Sequence, residues 1–373
     1  MFAISPEELK RRIDQEAVDF IFDLRNEDEF AAWRIEGRSQ IKTINIPQID
    51  FVGEEERYLG RLPQDRQIVT ICAHGDSSRY SAEYLRNHGF DSVSLDGGMD
   101  AWSELYESHK ISERPDIHQI FRVARGCISH LVVSGSEAVV IDAVRHVDRF
   151  IGLAYSLRAR IVHVLDTHLH ADHISGGLEI ARRTGAHYHI SPDDAGAAAY
   201  SYQPLRDGDV ISFGRSRIET FVSPGHTPGS TSFLLDKRFL FTGDTVMKAS
   251  IGRPDLGGRV DEWAHLLYDT LFQRYEKFRD DLIVLPAHAA SLREQDADGV
   301  VRTTIGDARR SGDLYQKKEF PEFLAFIRES LPESPDRYQE IRKVNLGLLD
   351  PDEAKRKELE IGKNLCGMAK QRG

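Results

Sequence analysis

Short apolar runs alternate with amphipathic stretches through the first hundred residues. The predicted strands cover residues 20–25, 43–46 and 67–71, and the predicted helices cover residues 26–33 and 78–85. Strands that alternate with helices in this way are typical of a parallel sheet with helices on both faces. We therefore expect the first third of the chain to fold as a separate α/β unit.

Further along the chain, residues 160–166 form a short apolar run rich in β-branched residues. This pattern predicts a buried strand. The motif THLHADH follows at residues 167–173, and residues 178–183 predict a helix. The motif therefore lies on a loop between a strand and a helix, a common place for chemistry in layered α/β proteins.

This loop carries a dense set of metal-ligating side chains, namely His168, His170, Asp172 and His173. Neutral imidazole and carboxylate are ligands for zinc or iron. A single histidine in a loop is often only a solvated side chain, but three histidines and an aspartate so close together predict a metal site. Three more candidates follow apolar stretches downstream, at His226, Asp244 and His288.

The order of these motifs resembles that of the metallo-β-lactamase superfamily. There, HxHxDH is followed by a distal histidine, a bridging aspartate and a last histidine. The resemblance covers roughly residues 116–310. It implies an αββα sandwich of two mixed sheets, with helices outside and a metal site at one edge between the sheets.

Cys72 lies between a predicted strand and a predicted helix, and it opens a loop made of Ala73, His74, Gly75, Asp76 and Ser77. Free N–H groups and the dipole of a following helix stabilise a thiolate or a bound anion. Taken alone, such a cysteine is more often a small buried hydrophobe.

The motifs DLRNEDEF, CAHGDSS and LDGGMDAW together resemble a rhodanese domain over residues 1–105. The resemblance implies a sulfurtransferase whose cysteine, here Cys72, carries a persulfide. A loop of six residues suits sulfur rather than a larger anion. Many relatives that use thiosulfate have a basic residue in the loop, whereas this chain has Asp76, so we expect a different sulfur donor.

Charge and composition fit a soluble cytoplasmic enzyme of 373 residues. The formal net charge of −11 argues against partners such as nucleic acid and anionic membranes. We find no signal-peptide pattern and no apolar run near the ~18 residues needed to span a bilayer. The three cysteines are too few and too scattered for a disulfide framework.

The expected organisation is a rhodanese-like domain (1–105), a polar linker (106–115), a metallo-β-lactamase-fold domain (116–310) and a helical C-terminal extension (311–373). Within the extension, residues 322–330 predict a helix. Cys366 would be a resolving thiol or, more simply, an incidental cysteine. The sequence leaves the assembly state open, including a homo-oligomer.

The presence of both domains on one chain favours the persulfide dioxygenases within the superfamily. A GRPDL segment at residues 252–256 is similar to that of dioxygenase-type members. This resemblance implies one Fe(II) per chain, held by the 2-His-1-carboxylate set His168, His226 and Asp244.

The remaining candidates have two open roles. His170, Asp172, His173 and His288 would bind a second metal ion, or they would orient the iron ligands through hydrogen bonds. Arg253 would bind a substrate carboxylate, and Asp255 would pair with it or orient a ligand.

We therefore expect an enzyme that oxidises glutathione persulfide, or a similar small persulfide, to sulfite with O2. Its rhodanese cysteine would transfer sulfane sulfur. A zinc thioester hydrolase of the glyoxalase II type, with two zinc ions, is the first alternative. A non-catalytic sulfur-trafficking protein is the second.

Overall fold

The computed structural model describes residues 3–18, 20–311, 313–331, 337–362 and 366–368. Its strands form a five-stranded sheet, a seven-stranded sheet, a six-stranded sheet and a two-stranded pair. None of the helices in these residues has the length and apolar character needed to cross a membrane.

The N-terminal unit is a parallel sheet with the strand order β1-β5-β4-β2-β3. Its strands are β1 (Ala3–Ile4), β2 (Phe20–Asp23), β3 (Lys42–Asn45), β4 (Ile68–Ile71) and β5 (Ser92–Leu95). Its helices are α1 (Pro6–Asp14), α2 (Glu27–Ala32), α3 (Gln48–Phe51), α4 (Glu55–Leu59), α5 (Asp76–Asn87) and α6 (Gly98–Ser103). The structure confirms the α/β unit that the alternating pattern predicts.

The helix after β4 begins earlier than its residue types suggest. A serine N-cap at Ser77 or Ser78 would be ordinary, but α5 begins earlier, at Asp76, and its N-cap is Gly75 with φ 102°. The left-handed conformation suits glycine because it has no Cβ. The early start brings the first amides of the helix close to Cys72.

Two mixed sheets form the second unit. The seven-stranded sheet has the order β12-β11-β10-β9-β8-β7-β6. It contains β6 (Tyr106–Glu113), β7 (Asp116–Arg122), β8 (Cys127–Ser134), β9 (Glu137–Ile141), β10 (Arg160–Leu165), β11 (His187–Ile190) and β12 (Gln203–Pro204). Its connecting helices are α7 (Asp148–Ser156), α8 (Gly177–Thr184) and α9 (Pro192–Ala195).

The six-stranded sheet has the order β13-β14-β15-β16-β18-β19. These strands are β13 (Val210–Phe213), β14 (Ser216–Val222), β15 (Thr231–Leu235), β16 (Phe239–Gly243), β18 (Ile283–Pro286) and β19 (Thr303–Thr304). The short β17 (Ile251–Gly252) lies outside it. A helical stretch follows as α10 (Val260–Asp269), a π-helix (Thr270–Arg274) and a 3-10 turn (Tyr275–Lys277), with another 3-10 turn at Leu292–Glu294.

Apolar side chains from both sheets meet in one buried layer. Val139 and Leu165 contribute to it from the larger sheet, and Phe233 and Phe241 contribute from the smaller one. Separate apolar clusters lie beneath α7 and α8 on one outer face and beneath α10 on the other. This is the αββα sandwich that the family resemblance implies.

Residues 106–113, expected as part of a linker, form the edge strand β6. It pairs antiparallel with β7, from Tyr106 opposite Arg122 to Glu113 opposite Asp116. Charged side chains are a common feature of edge strands, because an edge is half exposed and must resist further pairing. The polar composition that suggested a linker therefore also fits the strand found here.

The two units share a hydrophobic core. Met99 and Trp102 of the N-terminal unit belong to the same buried cluster as Phe121, Ile128 and Ala289 of the sandwich. A continuous apolar contact of this kind favours a fixed arrangement of domains over independent motion. The cluster includes Ala289, which directly follows the candidate ligand His288.

The C-terminal extension is helical where it is described. It contains α11 (Ile305–Ser311), a 3-10 turn (Asp313–Gln316), α12 (Phe320–Ser330), α13 (Arg337–Asn345), α14 (Glu353–Leu359) and a last strand, β20 (Gly367–Met368). The helix expected at residues 322–330 is part of α12. Residues 312, 332–336, 363–365 and 369–373 of the expected extension lie outside the described residues.

Glu360 connects this extension to the sandwich through ion pairs and a hydrogen bond. Its carboxylate lies 2.7 Å from an Arg122 nitrogen and 2.8 Å from Arg145 Nε, and it accepts a hydrogen bond from Ile174 N at 2.8 Å. Burial alone would raise the pKa of this carboxyl, but Arg122, Arg145 and Arg125 outweigh burial and lower it to about 2.

This network predicts how stability depends on pH. A carboxyl with a depressed pKa stabilises the fold above its unfolded pKa, and that contribution disappears as the pH falls through the folded value. The difference in unfolding free energy between wild type and Glu360→Gln should therefore shrink between about pH 5 and pH 2, by on the order of 3 kcal/mol. Urea unfolding across this range measures it.

Glu353→Gln is the matched control. Glu353 also contacts Arg145, at 2.6 Å, but its side chain is 61% exposed. Exposed ion pairs contribute about 0–1 kcal/mol, so this variant should follow the wild-type pH dependence. An equal loss in both variants would contradict a special role for the buried carboxylate.

Candidate metal centre

The metal-ligand loop, residues 167–175, leaves the carboxyl end of β10 and is buried through His173. Asp142, just after β9, accepts hydrogen bonds from Thr167 N at 2.7 Å and Thr167 Oγ1 at 2.9 Å. Asp194 Oδ2 accepts another from Leu169 N at 2.8 Å. Carboxylates from neighbouring segments thus hold the start of the loop in place.

His168, His226 and Asp244 converge at this edge of the sandwich. His168 Nε2 lies 3.8 Å from Asp244 Oδ2, and His226 Nε2 lies 3.5 Å from the same oxygen. The donor atoms of this group all lie within 4.8 Å of one another. The three residues come from three chain segments, which follow β10, β14 and β16 respectively.

These three donor atoms are buried and have no hydrogen-bond partner among the described residues. Buried polar atoms are normally paired, and convergent free imidazole and carboxylate donors are what a transition metal requires. The residues therefore fit a metal ion bound between them.

The Nδ1 atoms of His168 and His226 form hydrogen bonds with neighbouring residues. His168 Nδ1 lies 2.9 Å from Thr167 Oγ1, and His226 Nδ1 lies 2.9 Å from the carbonyl oxygen of Arg253. A hydrogen bond at Nδ1 fixes the tautomer and directs Nε2 to a metal. Burial holds the pKa of His168 well below its usual value, with help from His170, and burial also lowers that of His226. Both rings are therefore neutral, as ligands must be.

A second donor group lies next to the first. It consists of Cys127, Asp172, His173 and His288. His288 Nε2 lies 2.9 Å from Asp172 Oδ2, and His288 Nδ1 lies 2.5 Å from Asp244 Oδ1. His288 thus connects the two groups through Asp244.

Charges within the second group compensate one another. Burial opposes protonation of His173, but the Asp172 carboxylate outweighs it and, with Cys127, raises the pKa of His173 to about 10. Burial and Asp172 both act to raise the pKa of Cys127, but the imidazoles of His173 and His288 lower it to about 6.

His170 points toward different partners. Its Nε2 lies 3.2 Å from Asp142 Oδ1, and it forms a third donor group with Asp142 and Asp166. Its Nδ1 has no hydrogen-bond partner in the described part of the chain. His170 therefore belongs to a different donor group from His168, although the centroids of the two rings lie only 4.2 Å apart.

Gly252 allows a close approach behind His226. A Cβ at this position would lie 2.7 Å from His226 Cγ and 2.5 Å from the carbonyl oxygen of Asp244. Both contacts are shorter than real Cβ atoms make. The glycine of the GRPDL segment therefore leaves space for two of the candidate ligands.

Arg253 and Asp255 form a bidentate ion pair, with distances of 2.6 and 2.7 Å from the guanidinium to the two carboxylate oxygens. The Arg253 side chain is 0% exposed. The backbone carbonyl oxygen of Arg253 also accepts the hydrogen bond from His226. These contacts hold the backbone beside the candidate ligand His226, and binding of a substrate carboxylate by Arg253 stays a prediction.

The Cys72 sulfur sits in a cradle of backbone amides. Gly75 N lies 3.0 Å and Ser78 N lies 3.3 Å from Sγ, and both donate toward it. Donors in this arrangement stabilise a thiolate or a terminal sulfur.

Acidic side chains surround this loop. His74 pairs with Asp100 at 2.7 Å, and Arg79 pairs with Asp96 at 3.1 Å. Arg79, the nearest basic residue outside the loop, is therefore already matched to a carboxylate. Asp76 is the first residue of α5.

Sequence reasoning missed two parts of the site. Cys127 belongs to the second donor group, and Asp142 accepts hydrogen bonds from Thr167. Asp142 directly follows the apolar run of β9, so a strand-end carboxylate next to β10 was a usable signal. Cys127 carries no such signal, because only the fold brings it close to Asp172, which lies 45 positions away along the chain.

Cys366 also lies here, as a fully buried side chain. It packs with Ala171, Leu256, Trp263 and Tyr338. Burial, with the charges of Asp172 and Asp244, holds the pKa of its thiol well above the usual value. The simpler expectation was that Cys366 is an incidental cysteine. In the structure its side chain is instead fully buried beside the metal-ligand loop.

Comparisons with known proteins agree with this architecture. Residues 123–288 match the metallo-beta-lactamase superfamily, and residues 5–105 match the rhodanese-like domain. The chain belongs to the metallo-β-lactamase superfamily and carries an N-terminal rhodanese domain. Its sandwich is related to persulfide dioxygenases of the ETHE1 type.

The chain is 38% identical over 155 residues to the human mitochondrial persulfide dioxygenase ETHE1, covering 41% of this chain and 59% of the relative. It is 37% identical over 189 residues to the hydroxyacylglutathione hydrolase of Fuscovulum blasticum, covering 47% and 71% respectively. The match to the human enzyme thus spans less than two thirds of that protein.

Among solved structures, ETHE1 from Myxococcus xanthus superposes with a TM-score of 0.53 at 26% identity. The alignment covers 65% of this chain and 99% of that structure. It supports the relationship of the sandwich to this group.

Gly252→Ala should weaken metal binding while leaving the fold intact. The added methyl group would displace His226 or Asp244, and displaced ligand support typically costs about 10- to 100-fold in metal affinity. The measurement is metal content after dialysis against a chelator series, with circular dichroism as the check on folding.

Gly152→Ala is the control, because a Cβ on this residue of α7 meets nothing within 4 Å. This variant should bind metal like wild type. Undiminished binding by Gly252→Ala would show that the space behind His226 is not critical.

Proposed function

We propose that this protein is a persulfide dioxygenase with a coupled sulfurtransferase domain. It oxidises glutathione persulfide, or a similar low-molecular-weight persulfide, to sulfite at a single Fe(II). The observation that carries this proposal is the set of buried donor atoms on His168, His226 and Asp244, which converge and have no hydrogen-bond partner among the described residues. A rhodanese domain on the same chain supports a persulfide as the substrate.

The overall reaction balances with water as co-reactant. Glutathione persulfide, O2 and water give glutathione, sulfite and two protons. The S–S bond breaks, and the terminal sulfur is oxidised while oxygen is reduced. His168, His226 and Asp244 would hold the Fe(II), which would supply the redox chemistry for this reaction.

The residues of the chain prepare this site. His168 and His226 present Nε2 because Thr167 and the Arg253 carbonyl hold their Nδ1 atoms. Asp244 presents Oδ2 because His288 holds Oδ1. The ligands therefore need little rearrangement when the metal binds, and their burial keeps bulk water away from the sulfur.

Under this proposal the second donor group supports the first. His288 contacts Asp244 directly, and Asp172 contacts His288 on its other side. Hydrogen-bonded partners of this kind orient ligands and raise their basicity. Arg253, paired with Asp255, supports His226 from the other side.

The Cys72 cradle would hold the sulfane sulfur during transfer. The Gly75 and Ser78 amides can stabilise either the thiolate or the persulfide formed on it. We propose that Cys72 exchanges sulfur with glutathione or combines product sulfite with a second persulfide to give thiosulfate.

The principal experiment combines metal analysis with oxygen uptake. Protein purified without oxygen should contain one iron per chain and consume O2 when glutathione persulfide is added. Two zinc ions per chain with no oxygen uptake would contradict the proposal. Metal binding and sulfur loading of Cys72 without any turnover would indicate a sulfur-trafficking protein.

Ligand variants separate the mononuclear from the binuclear arrangement. His168→Ala should prevent stoichiometric iron binding and abolish oxygen uptake, because it removes a ligand. His170→Ala should still reach one iron per chain, because His170 contacts Asp142 instead. Iron titration of both variants measures this, and loss of all iron from His170→Ala would assign His170 as a ligand.

Coupling between the domains is tested with Cys72→Ser. If Cys72 takes part in sulfur flow, this variant should change the ratio of sulfite to thiosulfate while the iron content stays at one per chain. An unchanged ratio and an unchanged oxygen-uptake rate with all sulfur donors would show that the two domains act independently.

A binuclear zinc thioester hydrolase is the second candidate function. The observation that favours it is the group of Cys127, Asp172, His173 and His288, whose donor atoms also lie within 4.8 Å of one another. It requires two zinc ions per chain and hydrolysis of S-lactoylglutathione without oxygen.

A further inference from the structure

The C-terminal extension reaches back to the metal-ligand loop, 167–175, defined above. Asn345, the last residue of α13, donates from Nδ2 to the carbonyl oxygens of His170 at 2.8 Å and His173 at 2.9 Å. Its Oδ1 accepts from Ser175 N at 2.9 Å. One side chain thus makes three hydrogen bonds to the backbone of this loop.

A second contact secures the centre of the loop. Glu360 accepts from Ile174 N at 2.8 Å. Arg125 donates to the Asp172 carbonyl at 2.5 Å, and it also donates to the carbonyl oxygens of Glu360 and of Gly362, the latter at 2.8 Å. The arginine of the sandwich is therefore itself held by the extension.

The extension also supports the opposite side of the centre. Its last strand, β20, pairs with β17, with Gly367 opposite Gly252. Arg253 N donates to the Cys366 carbonyl at 3.0 Å. These contacts hold the segment whose Arg253 carbonyl accepts from His226.

Buried backbone groups need partners, and a loop that directs four polar side chains into three neighbouring donor groups cannot pair its own N–H and C=O groups in a helix or sheet. The extension supplies those partners. Because they are side chains with fixed donor and acceptor directions, they also select one conformation of the loop.

We propose that Asn345 is a positioning residue of the metal centre, through which the C-terminal extension sets the geometry of the ligand loop. This inference rests on the proposed metal site but not on the reaction or the metal identity. The residue touches no ligand side chain; it acts through the backbone of His170, His173 and Ser175.

The test compares two asparagines with the same local role. Asn345→Asp keeps the side-chain shape but replaces both Nδ2 donations by a carboxylate oxygen that faces two carbonyls. Asn45 donates in the same way to the carbonyls of Asp23 and Arg25, at 3.0 and 2.8 Å, in the N-terminal domain. Asn45→Asp therefore also removes two hydrogen bonds from a side-chain amide to backbone carbonyls, but in the N-terminal domain.

Wild type and both variants are titrated with Zn2+ and, without oxygen, with Fe2+, and each is loaded with Co2+ for its visible absorption spectrum. We expect Asn345→Asp to weaken metal binding by about 10- to 100-fold and to alter the Co2+ bands. Asn45→Asp should bind metal like wild type and show an unchanged spectrum. Unfolding midpoints of the metal-free proteins report general destabilisation.

Wild-type affinity and an unchanged Co2+ spectrum in Asn345→Asp would overturn the proposal, as would equal losses in the two variants. If Asn345→Asp does not fold, Asn345→Ser removes both donors without adding charge and is assessed in the same way. Loss of folding in both Asn345 variants would show a general structural role and also overturn it. Wild-type metal binding without oxygen uptake would contradict the dioxygenase proposal alone.

Discussion

The structure depends on one requirement, which is that a concentrated set of ionisable side chains be buried without leaving unpaired charge. His168, His226 and Asp244 lie together at almost zero exposure, and a second donor group adjoins them. Burial of a charge is costly unless it is compensated. Neighbouring carboxylates and imidazoles compensate one another, and a bound metal ion would complete the balance.

Much of the architecture surrounding this centre serves that requirement. The parallel strands of the larger sheet end at one edge, so the loops after β9 and β10 meet there. Asp142 can therefore hold Thr167, and Thr167 in turn holds His168. A chain of hydrogen bonds that begins at the end of β9 thus reaches the candidate ligand His168 in two steps.

The sequence predicts those parts of the fold and site that local pattern controls. The apolar run before THLHADH identifies β10, and the spacing of ligand types identifies the ligand candidates. Residues 106–113 were misread because an edge strand and a polar linker have similar composition. Asn345 and Glu360 could not be predicted, because neither stands in a recognisable motif and both reach the loop only through tertiary packing. Cys127 was missed for the same reason.

The dependence of the ligand loop on the C-terminal extension has a consequence for biosynthesis. Asn345 and Glu360 are separated from their partners in the loop by 170 to 186 positions along the chain. A ribosome makes these residues after it has made the strands of both sheets. Domains generally fold as units during synthesis, so the sandwich can form while its ligand loop still lacks these partners. Maturation of the centre would then wait for synthesis of the extension, which separates folding of the sandwich in time from metal loading.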